Sequence, residues 1–87
     1  MKNDLSLYEQ TVATTADYLG PAARRFVDRQ IYYHLDKNPS SLTKQDLKKL
    51  IDWLRVSLAV ITNDLNLIDE YILRLEQFIK NNQSIIK

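Results

Sequence analysis

The residues able to do chemistry are few and widely spaced. His34 is the only histidine, and the chain has no cysteine. A zinc centre needs three or four ligands. No HExxH pair is present, and Asp36 lies too near His34 in sequence to complete such a set. Asp46, Asp52, Asp69 and Glu70 could act as paired acid and base only if they converged in a cleft. Each falls where a helix cap or a solvated helix face is expected. One glycine cannot build a phosphate-binding loop, a dinucleotide fingerprint or a nucleophile elbow. The expectation is a chain that is not an enzyme, with no metal and no cofactor.

Charge is densest at Arg24, Arg25 and Arg29, with Arg25 and Arg29 one helical turn apart and Lys37 further along. Guanidinium groups in that pattern suit phosphate or an acidic partner. The competing reading is a solvated face in which Arg24 pairs with Asp28 at i,i+4. The same stretch, RRFVDRQIYYH, is the one candidate for a DNA-reading helix. Its apolar share is high and the net charge is only +1, so nucleic acid is the lesser reading. Tyr8, Tyr18, Tyr32, Tyr33, Trp53 and Tyr71 combine an apolar ring with a polar tip, as core residues with a wet edge or as interface anchors. Tyr32 and Tyr33 point about 100° apart on a helix, so at least one of them is expected at the surface.

These residues need elements to hold them. The sequence is 45% apolar and 26% charged, with one Gly and two Pro in 87 residues. So few breakers predict helices joined by short loops, and the length suits one domain over 1–87. The fold expected is all-α, a compact bundle of four helices at roughly 5–19, 21–37, 44–61 and 64–81. The central segment is LKKLIDWLRVSLAVI. Leu47, Leu50, Ile51, Leu54, Leu58 and Ile61 recur at spacings of three and four, and Trp53, Val56 and Val60 form a second stripe beside them. Thr43 and Asp46 form a capping-box variant at its start, with Leu42 as a hydrophobic staple. Its second half, Val56 to Ile61, carries Ser57 alone as a polar residue and is expected to lie deepest. No apolar run reaches the roughly 20 residues a membrane span needs.

The first helix should bury Leu5, Tyr8, Val12, Ala16 and Leu19, with Asp4 as a cap, and TVATT weakens its propensity. Gly20 suits a left-handed helix end and Pro21 the first position of the second helix. That helix should bury Ala23, Phe26, Val27, Ile31 and Leu35. The fourth, capped by Asn63 or Asp64, should bury Leu65, Ile68, Ile72, Leu75 and Ile79, with Tyr71 and Phe78 beside that stripe. Glu70 and Arg74 should pair on its outer face. Ile85 and Ile86 look out of place in free solvent.

The run YLGPAARRF, Tyr18 to Phe26, resembles a small helical module appended to bacterial serine/threonine kinases and response-regulator-like proteins. There an L/I-G-P-x-A run marks the first helix junction, and Leu19, Gly20, Pro21 and Ala23 match it. Leu42-Thr43 and Asp46-Leu47 are loosely similar to a later helix opening in that module. The likeness covers about half of the chain and implies a non-catalytic regulatory or protein-contact role, with no ligand residues carried over. The Arg24-Arg25 pair and the long fourth helix are not part of that pattern.

Together these readings predict a cytoplasmic protein-interaction module of a bacterial signalling system, self-associating and without a membrane segment or secretion signal. Its docking residues are expected to be Trp53, Val56, Val60, Tyr71 and Phe78. A nucleic-acid-binding domain using Arg24, Arg25 and Arg29 is the alternative. A small apolar ligand inside the bundle is a third reading.

Overall fold

The central helix, Lys44–Ile61, has the bounds expected of it because both of its ends are chemically marked. The Asp46 N–H donates to Thr43 Oγ1 at 3.1 Å, and the Thr43 N–H donates to the Asp46 carboxylate at 3.0 Å, closing the capping box. Leu42 is buried just before the cap, where a staple would place it. The Lys37 ammonium donates to the same carboxylate at 2.6 Å and is the main reason the Asp46 carboxyl is held below its usual range. At the far end Thr62 is extended. Asp64, one of the two expected caps, accepts from the Leu67 N–H at 3.1 Å to start the last helix.

The structure, a computed structural model, describes residues 5–84, with side chains for residues 5–80. Asp4, Ile85 and Ile86 lie outside those residues. Among the described residues there are four α-helices and no strand: α1 (Leu7–Leu19), α2 (Ala23–His34), α3 (Lys44–Ile61) and α4 (Leu65–Ser84). Short 3₁₀ turns span Gly20–Ala22 and Pro39–Ser41. Helix α1 begins two residues later than expected, where Ser6 accepts from the Glu9 N–H. Gly20 ends α1 with φ 60° and ψ −137°, a positive φ but not the left-handed helical conformation anticipated. Pro21 sits inside the 3₁₀ turn and not at the head of α2. Helix α2 ends at His34, short of the expected Lys37. Asp36 takes the left-handed conformation at φ 51°, and the N–H groups of Leu35 and Asp36 both donate to the Ile31 carbonyl. That role usually falls to Gly or Asn, so no sequence signal marked it.

Helices α2 and α3 run in opposite directions, as do α3 and α4. Tyr8 and Glu9 of α1 meet Asp28 and Arg24 of α2, His34 of α2 stacks on Trp53 of α3, and α3 meets α4 through Arg55–Asp69 and through Lys44 to the Ile79 carbonyl. Helix α4 returns beside α1, closing the ring α1–α2–α3–α4. The core is built on Leu47, Leu50, Leu54 and Leu58 of α3, packed against Val27 and Ile31 of α2 and Ile68, Ile72 and Leu75 of α4. Full burial of such a side chain is worth about 1.5–3 kcal/mol. The depth expected along α3 is corrected: apart from Leu58, the apolar side chains of Val56 to Ile61 are exposed, and the first and middle turns lie deepest.

Helix α1 buries different residues from those expected. Tyr8 and Val12 are inside, but Leu5 and Ala16 are exposed, and Thr11, Thr14 and Thr15 fill the inner face. The Thr11 hydroxyl donates to the Leu7 carbonyl at 2.8 Å, and the Thr15 hydroxyl donates to the Thr11 carbonyl at 2.7 Å. A hydroxyl has one proton, so at 2.8 Å the Tyr71 hydroxyl must be the donor to Thr15 Oγ1. Burial, above all, pushes the Tyr71 phenol up to about 12.

Tyr71→Phe should cost about 1 kcal/mol at neutral pH by urea unfolding, the usual net worth of such a bond. The unfolded chain ionises this phenol near pH 10 and the fold only near 12, so its contribution is whole below pH 10 and falls as pH rises between those values. The stability gap between wild type and Tyr71→Phe should therefore narrow across that window. Asp46→Asn should lose up to about 1 kcal/mol at pH 7. Because the native carboxyl is depressed, that gap is present above the ordinary carboxylate pKa of about 3.9 and should close as pH falls below it.

Candidate functional site

Three seams of the helix ring are clasped by ion pairs between helix bodies. Arg24 reaches Glu9 at 3.1 Å across α1–α2, Arg55 reaches Asp69 at 3.0 Å across α3–α4, and Arg74 reaches Asp17 at 2.8 Å across α1–α4. Among the described residues the α2–α3 seam has no such clasp. Its outer side is an open groove of ≈ 360 Å³, lined by Ala22, Arg25, Phe26, Arg29, Gln30, Ser57 and Val60. At the other end of the seam the His34 and Trp53 rings stack, with centroids 3.9 Å apart and planes 7° from parallel.

One member of the α3 stripe, Val60, lines this groove together with two of the arginines that the sequence kept apart from it. Trp53, Val56 and Val60 all lie on the solvent side of α3, with Val60 83% exposed and Trp53 48%. Arg25 and Arg29 stand on the facing rim of α2, both exposed and with no ion-pair partner among the described residues. Arg24 does not join them. It donates to both Glu9 carboxylate oxygens and to the Tyr8 hydroxyl, and these partners raise its pKa further. The anticipated Arg24–Asp28 pair is absent because Asp28 accepts from the Tyr8 hydroxyl. Burial first, then that bond, raises the Tyr8 phenol above its ordinary value. The anticipated Glu70–Arg74 pair is absent for a similar reason, since Arg74 turns inward to Asp17 and the Tyr18 hydroxyl.

Two of the five expected docking residues are misplaced. Tyr71 is fully buried, held by Thr15 and edge-on to the Tyr18 ring, so no second molecule can touch it. Phe78 is half-buried against the core. Tyr32 and Tyr33 are both exposed, and their rings meet edge-on at 5.3 Å although they are neighbours in sequence. With Pro21, Ala22 and the arginines they line a second hollow along α2, which opens to the surface and not into the core.

Ala22, Phe26, Gln30 and Ser57 were not marked by the sequence as site residues. The signal was nonetheless there: Ala22, in the turn before α2, and Phe26 and Gln30 on α2 recur every four residues, Trp53, Ser57 and Val60 recur at spacings of four and three on α3, and an antiparallel pair brings such rows together. Gln30 Oε1 is buried beside the groove and has no hydrogen-bond partner among the described residues.

Among the described residues no three His, Cys, Asp or Glu side chains gather as metal ligands, and no helix is long and apolar enough to cross a membrane. What the groove offers is an apolar floor and two guanidinium groups without ion-pair partners among the described residues. Comparison with protein-family models, with curated proteins and with solved structures finds no match to this chain.

The difference between inner and outer stripes of α3 is measurable. Leu54→Ala should cost about 2–5 kcal/mol in urea unfolding, through lost transfer energy and a cavity. Val60→Ala should leave stability unchanged or raise it by roughly 0.5 kcal/mol, since Ala is the better helix former at an exposed site.

Proposed function

We propose that this chain is a non-catalytic protein-interaction module of a bacterial, cytoplasmic signalling system, and that it docks protein on the open α2–α3 face, self-association included. The observation that carries the proposal is that the exposed Val60 lines one groove with Arg25 and Arg29, while Val56 and Trp53 of the same helix are exposed as well. Contiguous exposed apolar surface with a polar rim is what a protein contact needs. The signalling setting draws support from Leu19, Gly20, Pro21 and Ala23, which turn the chain between α1 and α2 where the resembling modules carry the same run. The nucleic-acid alternative is weaker. It counted on three arginines, and Arg24 is engaged by Glu9 and Tyr8.

Sedimentation velocity from micromolar concentration upward tests this. The mass should rise with concentration, and Val60→Asp should hold the protein as a monomer without lowering its thermal midpoint. A wild type that stays monomeric at every concentration would remove self-association. If Val60→Asp still associates, the α2–α3 face is not the surface used.

A further inference from the structure

We infer that the α2–α3 groove receives the outer face of α4 from a second copy of this chain, so that copies join head to tail. This rests on the docking role proposed above and names its occupant. Charge complementarity carries it. Three of the five arginines are used inside the fold, Arg24, Arg55 and Arg74, each with a carboxylate partner. Arg25 and Arg29 have none among the described residues, and they stand beside an apolar floor of Ala22, Phe26 and Val60. A groove of that kind fits a helix with an apolar ridge flanked by carboxylates.

On this chain the apolar point of such a ridge is a single leucine. Leu73 of α4 is 54% exposed. Glu70 and Glu76 lie three residues before and after it, which places them about 60° to either side around the helix. Both are exposed, and neither has a cationic partner among the described residues. Helices α2 and α4 sit diagonally across the ring, so a chain cannot bring its own ridge to its own groove. The contact is therefore between copies and uses two different patches. Each assembly keeps one unfilled groove and one unfilled ridge unless it closes into a ring. The symmetric alternative, groove against groove, would set the arginine rims of two copies on one apolar stripe, where like charges repel.

Sedimentation velocity on the full chain and two variants decides it. One variant spoils the groove (Arg25→Glu with Arg29→Glu) and the other spoils the ridge (Leu73→Asp). All three positions are exposed, so helical circular dichroism and the thermal midpoint should be unchanged, and both are checked first. The wild type should grow beyond two chains as concentration rises. Each variant alone should stay monomeric, and an equimolar mixture should form a complex of two chains, since one supplies the intact groove and the other the intact ridge. If Leu73→Asp assembles as the wild type does while the groove variant does not, α4 is not the occupant, and the docking role of the groove stands without it. If the groove variant also assembles normally, both readings fall; if the wild type never assembles, self-association falls and this inference with it, while docking of a different protein is untouched.

Discussion

Helix α3 carries two apolar stripes, and a ring of four helices has an inside for only one of them. In such a ring each helix has two flanking neighbours and one core-facing side. Leu47, Leu50, Leu54 and Leu58 take that side completely. Trp53, Val56 and Val60 lie roughly 105–165° from the middle of that side, at about 100° per residue. No rotation of α3 can bury both sets. The exposed stripe is thus a consequence of the number of helices, not a fault of packing. A fifth helix could cover it, and the described residues contain none. The hydrophobic effect still acts on that surface, and this is the surface on which the proposed docking rests.

The position of α1 follows from a different rule. Its inner face is mostly threonine, which brings little apolar area and three hydroxyls that must be satisfied. Thr11 and Thr15 satisfy themselves against carbonyls one turn back, a habit that favours the helix less than an apolar side chain would. The oxygen of Thr15 remains able to accept, and Tyr71 fills that need from α4. A buried phenol without a partner would be costly. The Thr15–Tyr71 pair therefore matches α1 to one height on one neighbour, while greasy contacts around α3 tolerate many. Packing area gathers the helices, and a pair of hydroxyls selects the register between the first and the last.

What the sequence revealed, and what it hid, divides along the line between local and distant interactions. The all-α bundle and the bounds of α3 were legible because periodicity and capping are written within a few residues of each other. The end of α2 was not, because Asp36 does a job without the residue type that advertises it. Burial at Thr11, Thr14 and Thr15 was hidden, since a threonine gives no apolar signal, and its partner lies 56 residues away in the case of Thr15. The i,i+4 rule misassigned Arg24 and Arg74 for the same reason: a neighbour on the same helix was visible, while Glu9 and Asp17 on another were not. Of the candidate surface, the stripe on α3 and the arginines of α2 were each legible. Their meeting on one groove needed the antiparallel pairing of the two helices. Tyr71 looked like surface because its ring lies beside the Ile68, Ile72 and Leu75 stripe in projection, and only the arrival of α1 covers it.

The distribution of ion pairs explains why one seam can stay open without loss. The pairs across the other three seams are between exposed or partly exposed side chains. Pairs of that kind contribute only about 0–1 kcal/mol each, and salt weakens them. Leaving Arg25 and Arg29 without carboxylate partners among the described residues therefore costs the fold almost nothing. The balance changes when a second surface approaches, because charges placed around a desolvated apolar contact govern which partners are accepted and how fast they arrive. In this protein the same residue type stands in two settings: arginines turned toward neighbouring helices trim the bundle, and arginines turned outward keep their charge available to the docking proposed above. The stacked His34 and Trp53 rings hold the end of that seam with a contact that needs no ion pair, so both guanidinium groups remain free for the encounter.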